Sequence, residues 1–305
     1  MRTLDYRITD LEDGWSVEYY LRNRLQFGKK QISRLKFREQ GLRLNGCQCR
    51  STDHLRKGDL LSLRLDEEGK ARRIRQEAED GTTLGNPLTV LYEDSDVLAV
   101  FKPGGIAVHP SHGHSRDTLW NQIVSWQSAR GEDWTPRIIG RLDKDTSGII
   151  LMAKTTEAAA SLAGQRERKE LRKVYVAEAE GAFSEKEGKI ELSIEKDPGC
   201  LNRMRIGKDG LPACTHYRLL KEKAESSILR LELEQGRTHQ IRVHLASTGH
   251  PVVGDPIYHP GYAGKEEPVE LHLHAAKMNF MSPFTKERIE ITAPLPKWLE
   301  GGINI

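Results

Sequence analysis

One run of fifteen residues constrains this chain more than any other. Gly140-Arg141-Leu142-Asp143-Lys144-Asp145-Thr146-Ser147-Gly148 leads without a spacer into Ile149-Ile150-Leu151-Met152-Ala153-Lys154. A polar, glycine-bounded turn followed by an apolar stretch predicts a loop that delivers side chains to the lip of a buried strand. Chemistry tends to sit on loops held by such strands. Asp143 stands between Arg141 and Lys144. It is expected to stay ionised at neutral pH, because nearby positive charge favours the charged form. Turns also collect Asp, Ser, Thr and Gly for backbone reasons alone, so the loop gains weight only from the rest of the chain.

The flanking segments supply that weight. Val97 to Phe101 is a second apolar run, between the turn Glu93 to Asp96 and Lys102-Pro103-Gly104-Gly105. It predicts a second buried strand, with Leu88 to Tyr92 as a strand before it. Thr118 to Trp126 has helical spacing, with Leu119, Ile123 and Trp126 on one side. Residues 156–172 predict a polar, basic helix and Lys173 to Gly181 an alternating strand. Tyr175 in that strand reads either as a core or edge tyrosine or as a ring that stacks on a base. Residues 182–214 predict a loop and short strands, with Arg203, Arg205 and Lys208 on a basic surface. Leu231 to Glu234 is strand-like, and Ile241 and Leu245 have helical spacing. The turn between them, Gly236-Arg237-Thr238-His239, puts backbone donors and two cations at a helix start, which suits an anion. Leu271 to Ala275 predicts a late strand with His272 and His274 on one face, and Pro283 to Pro296 a closing strand pair.

The first sixty-odd residues differ in charge. The whole chain of 305 residues carries only +3, yet Arg22 to Lys57 holds eleven Lys or Arg against Glu39 and Asp53, a net excess of nine. A solvated helix face usually mixes both signs, so a one-signed patch of this size favours a polyanion, and nucleic acid is the usual one. Residues 1–13 predict a leading strand or arm. Ser16 to Leu25 predicts a helix, and a second helix follows from Ser33 to Gln40, with Ser33 as its cap. Leu42 to Gly46 and Leu55 to Leu65 predict strands with turns. The resulting division is a small α+β unit at 1–66, a linker at 67–87 and a larger domain at 88–305, which a chain of this length accommodates.

Four cysteines (Cys47, Cys49, Cys200, Cys214) show neither paired zinc spacing nor the density of a disulfide scaffold. His109, His112 and His114 cluster in a Ser/Gly-rich loop that no carboxylate or cysteine completes, so an exposed RNA-contacting loop is preferred over a metal site. Neither a signal-peptide pattern nor a membrane-length apolar run is present, and a cytoplasmic, monomeric protein is expected.

Two resemblances follow. Ile32-Ser33-Arg34, Lys36, Gly41 to Gly46 and Lys57 to Leu61 resemble the alpha-L RNA-binding domain, the module named after the fourth small-subunit ribosomal protein. That resemblance implies helices that bear on folded RNA through phosphates, here with Arg34, Lys36, Arg38 and Arg43. Residues 88–297 resemble the RluA-type pseudouridine synthases. The matches, in order, are Val97 to Pro110, Arg141 to Gly148, and Gly236 to His244 followed by Gly249-His250-Pro251 and Gly254-Asp255. This resemblance implies an α+β fold with a mixed, largely antiparallel sheet. It implies conversion of uridine to pseudouridine in RNA, with no metal and no organic cofactor; the RNA-binding module ahead of it favours large-subunit ribosomal RNA over transfer RNA. It makes Asp143 the catalytic carboxylate, Arg242 its ion-pair partner, Tyr175 the ring against the uracil and Ile241 the apolar packing beneath it. Arg141 would enter the RNA where the uridine has left, and Arg237 and His239 of the anion-binding turn are expected to contact the RNA. Gly140 departs from the pattern, since many relatives carry His there.

Three rivals stand beside this reading. Asp143 and Asp145 could be a glycosidase pair, although residues two apart in a turn rarely place two carboxyls as such a pair needs. A hydrolase triad of Ser147, His239 and an Asp lacks the nucleophile elbow. A non-catalytic RNA-binding or ribosome-assembly factor would retain the fold without the chemistry.

Overall fold

The computed structural model describes residues 2–65, 87–110, 117–200, 202–262, 269–299 and 305. Most of the expected linker, and His112 and His114, lie outside the described residues.

The small unit runs β1 (Thr3–Arg7), α1 (Val17–Asn23), α2 (Lys29–Phe37), β2 (Leu42–Leu44), β3 (Cys47–Gln48) and β4 (Leu60–Arg64). Its sheet has the order β1-β4-β2-β3. One face buries Leu4, Leu42, Leu61 and Leu63 against Val17, Leu21, Ile32 and Leu35 of the two helices. Ser16 caps α1 by accepting from the Tyr19 N–H at 3.1 Å. The second helix starts earlier than its expected cap Ser33. Gly28 is extended, and the Gln31 side chain accepts from its N–H at 2.7 Å, closing the first turn there. Ser33 is an exposed mid-helix residue beside the buried Ile32.

Arg34, Lys36 and Arg43 remain exposed, whereas Arg38 turns inward. Its guanidinium donates to the Arg64 carbonyl at 2.6 Å and lies 3.6 Å from the buried Glu157 of the larger unit. Arg38, expected among the RNA contacts, thus also joins the two units. Arg2 adds a fork to Asp96 at 2.8 and 2.7 Å, and the Phe27 ring lies against Phe284.

The larger unit is built on a ten-stranded sheet. Its strands are β5 (Thr89–Glu93), β6 (Val97–Lys102), β7 (Arg137–Ile139), β8 (Ser147–Ala153), β9 (Arg172–Glu180), β10 (Glu187–Glu191), β13 (Cys214–Glu222), β14 (Ser226–Leu233), β15 (Leu273–Met281) and β16 (Arg288–Thr292). The short β11 (Ile194–Lys196) and β12 (Met204–Ile206) pair separately. The main order is β10-β13-β14-β9-β15-β8-β6-β5, with β16 on β15 and β7 on β8. All these pairings are antiparallel except β15 with β8.

The lack of alternation in the two apolar runs now has a cause. Leu98, Val100, Ile150 and Met152 face one core, with Leu119 and Ile123 of α3 (Leu119–Ala129). Val97, Ala99, Ile149, Leu151 and Ala153 face the other, with Ala158 and Leu162 of α4 (Thr156–Glu167). Strands covered on both faces need apolar residues at every position. Each Ile, Leu or Met so buried is worth about 1.5–3 kcal/mol relative to exposure. Two expectations are revised at the C-terminal end. The late strand extends to Met281, because Met278 and Phe280 bury on alternate positions, and it is itself the partner of the closing strand β16.

Gly148 explains why the opening loop must end in glycine. Its φ is +116°, and a Cβ there would lie 2.3 Å from the Ala275 carbonyl oxygen, where β8 meets β15.

Candidate active site

The loop between β7 and β8 projects Asp143 into a cleft of about 880 Å³. Tyr175 of β9, Leu273 of β15, and Ile241 and Arg242 of α5 (Gln240–Ser247) also line it. Lys102, at the end of β6, ties the loop to the sheet. It is fully buried, and its Nζ donates to the carbonyls of Pro103 (2.8 Å), Ile106 (2.9 Å) and Lys144 (2.7 Å). Burial pulls its pKa to about 7, against the charges of Asp145 and Asp143, which raise it. Three donated bonds need the three N–H groups of the ammonium form.

Arg242 is 1% exposed and forks onto Asp255, Nε to Oδ2 and Nη2 to Oδ1, both at 2.7 Å. This leaves Nη1 to face Asp143, 3.8 Å from Oδ2. Asp255 is itself fixed, since its Oδ1 also accepts from the backbone N–H groups of Ile257 and Tyr258. A guanidinium held on one edge by a buried carboxylate cannot swing, so its free edge is preorganised toward Asp143.

His239 sits at the head of α5, with its Nε2 4.0 Å from Asp143 Oδ2 and its Nδ1 2.9 Å from the Tyr258 hydroxyl. That hydroxyl oxygen accepts from the Met204 N–H, leaving its O–H free to donate to Nδ1. In the tautomer in which that O–H donates to Nδ1, the imidazole N–H lies on Nε2, toward Asp143. Burial lowers the His239 pKa below its ordinary value, with Asp143 opposing and Arg242 reinforcing the shift, so a neutral ring faces the carboxylate at pH 7. Burial, and then the charge of Asp143, push the Tyr175 phenol above its ordinary range, so it stays protonated.

The sequence profile of the RNA pseudouridylate synthase family matches residues 96–247, the span from β6 to the end of α5. An uncharacterized RNA pseudouridine synthase of Bacillus subtilis (strain 168), YhcT, is 36% identical over 297 residues, covering 97% of this chain and 94% of its own length. The chain belongs to the RNA pseudouridylate synthase family. Ribosomal large subunit pseudouridine synthase D of Nitrosomonas europaea is 38% identical over 216 residues, 69% of this chain and 62% of that protein. Human RNA pseudouridylate synthase domain containing 1 shares the fold with a TM-score of 0.58 and 27% identity, over 71% of this chain and 86% of its own. The chain is thus an RNA pseudouridine synthase, an isomerase with an RNA substrate.

Within this synthase, Asp143, Tyr175, Ile241, Arg242, Arg141, Arg237 and His239 all line the one cleft, whereas Asp145 does not. Arg34, Lys36 and Arg43 belong to the small unit. Ser147 is buried in β8 and hydrogen-bonded to His274 Nδ1 at 2.8 Å, so it forms no triad with His239. His272 pairs with Glu178 at 2.9 Å and stacks on Trp298, so it and His274 have separate structural partners. His109 lines the cleft. At Gly140, φ is +78°, and a Cβ would meet Lys173 Nζ at 3.4 Å and Arg166 Nη1 at 3.9 Å. Two cations therefore crowd the space that a side chain at 140 would enter.

Sequence reasoning gave no role to Asp255, Tyr258 or Lys102. Asp255 carried a signal, a Gly-Asp pair among the matched motifs, but nothing in the linear chain links it to Arg242. Lys102 carried another, a charge closing an apolar strand.

Proposed function

We propose that this synthase isomerises a uridine of large-subunit ribosomal RNA, with Asp143 as the catalytic carboxylate. One observation carries the reading: Asp143 lies at the meeting point of Arg242 Nη1 and His239 Nε2, in a cleft that Tyr175 and Ile241 also line. The names of its relatives from Nitrosomonas europaea, Xanthomonas campestris and Neisseria meningitidis, each a ribosomal large subunit pseudouridine synthase D, favour that RNA.

The reaction breaks the N1–C1′ bond, turns the uracil and forms C5–C1′. The C5 proton leaves to solvent and N1 gains one, so the composition is unchanged. C5 is inaccessible in stacked RNA, so the nucleotide must flip out, at a cost of a few kcal/mol. Stacking on the Tyr175 ring returns about 1–3 kcal/mol of that cost, and Ile241 packs beneath the base. Arg141, exposed at the cleft mouth, takes the space the uridine vacates. Asp143 acts at the reacting sugar or ring, while Arg242 and His239 fix its orientation. Leu142, Tyr175, Ile241 and Leu273, apolar side chains of the cleft, pack around the base and limit the access of water that would complete a hydrolysis. Residues 1–66 serve as an RNA grip through Arg34, Lys36 and Arg43, whose phosphate contacts position the RNA.

Pseudouridine mapping in a strain lacking this gene tests the substrate. Loss of one or more pseudouridines from large-subunit RNA, restored by the wild-type gene and not by Asp143→Asn, supports the reading. An unchanged large-subunit map, with loss in transfer RNA, overturns it.

A further inference from the structure

Cys214, His216 and Glu234 come together beside the cleft, which His216 and Glu234 line. Cys214 and His216 are two apart on β13, so they share one face, while Thr215 between them points inward to Gln240 and His244. Glu234 follows β14, and its N–H donates to the Cys214 carbonyl, which places it alongside. Cys214 Sγ lies 3.6 Å from His216 Nε2, and His216 Nε2 lies 3.0 Å from Glu234 Oε1. The three donor atoms lie within 4.8 Å of one another.

These separations have a chemical meaning. A tetrahedral zinc ion, with bonds of about 2.3 Å to sulfur and about 2.0–2.1 Å to nitrogen and oxygen, holds neighbouring S and N about 3.6 Å apart and N and O about 3.4 Å apart. The Cys214–His216 separation of 3.6 Å already matches, and the 3.0 Å between His216 and Glu234 need only open slightly to admit the ion. The supporting contacts fit as well. Lys169 holds the other carboxylate oxygen, Glu234 Oε2, at 2.7 Å, leaving Oε1 to bind. The Gln235 side chain accepts from the Cys214 N–H at 2.8 Å and fixes the backbone at the thiol. Partners of this kind orient metal ligands. His216 is half exposed, so an ion can enter from solvent.

We propose that Cys214, His216 and Glu234 form a site for a borderline-soft divalent cation of the zinc(II) class, bound by one thiolate, one imidazole and one carboxylate oxygen. The fourth position is left to water or to an oxygen of RNA in the cleft, since His216 and Glu234 also line it. Uptake transfers the thiol proton to solvent as the sulfur–metal bond forms. The proposal stands apart from the uridine chemistry and does not depend on it.

Cobalt(II) titrated into the full-length, metal-free protein is the test. One equivalent per chain, a sulfur-to-cobalt charge-transfer band in the near ultraviolet and displacement by zinc(II) are expected. Cys214→Ser should abolish the band, and His216→Ala, at an exposed position, should weaken cobalt binding about tenfold or more. A Cys47→Ser/Cys49→Ser variant should keep the band. Absence of the band in the wild type, its survival in Cys214→Ser or its loss in the Cys47/Cys49 variant would each overturn the proposal.

Discussion

Arg242 reaches the cleft as a cation because Asp255 is buried with it, both almost wholly removed from solvent. Removing one partner of such a pair costs about 3–5 kcal/mol, because the other charge is left without compensation. Asp255→Asn should therefore lower the urea midpoint and slow pseudouridine formation more than it weakens RNA binding. Unchanged stability and turnover would remove Asp255 from this role. A second residue sets a pH dependence. Burial lowers the His274 pKa from 6.5 to about 4. Above pH 6.5 neither state binds the proton, and the stability contribution is complete. As pH falls from 6.5 toward 4, the unfolded chain takes up a proton that the folded one refuses. Stability is then lost at up to about 1.4 kcal/mol per pH unit. Urea unfolding at pH 7 and pH 5 should show this loss in the wild type and less of it in His274→Gln. At this scale the sequence showed the motif residues, because each lies in a contiguous pattern. It did not show the side-chain partners of Arg242 or Lys102, because those contacts exist only once distant segments meet.

Strands β6 and β8 were legible as elements, since an apolar run without alternation implies cover on both faces, and both faces are covered. The start of α2 was not. Ser33 is a good cap by residue type, but Ile32 and Leu35 must face the core together, and that requires the helix to be under way by Ile32. The inner face of the loop rests on the contact between β8 and β15, where Gly148 admits no side chain. Gly148→Ala should cost at least about 1–3 kcal/mol from backbone strain alone, before any clash with Ala275 is counted. The check is a fall in Tm together with reduced turnover. A variant as stable as the wild type would show that the two strands can part without penalty.

Across the whole molecule, the small unit meets the catalytic domain through Arg2 and Asp96, Arg38 and Glu157, and Phe27 and Phe284. The sequence divided the chain into two units by charge, but it offered no sign of these contacts, because each joins residues far apart in the chain. The exposed basic side chains of the small unit predict a measurable electrostatic share in binding. Deleting residues 1–66 should weaken RNA binding and flatten the dependence of log K on log salt, whose slope is set by the number of phosphates neutralised. An unchanged slope would make the basic patch an ordinary solvated surface. The proposed mechanism needs one carboxylate that separates chemistry from binding. The direct measurement is tritium release from RNA labelled at uridine C5, for the wild type, Asp143→Asn and Asp145→Asn. Asp143→Asn is expected to release no tritium yet bind RNA as the wild type does, while Asp145→Asn keeps release. Undiminished release by Asp143→Asn would contradict that mechanism.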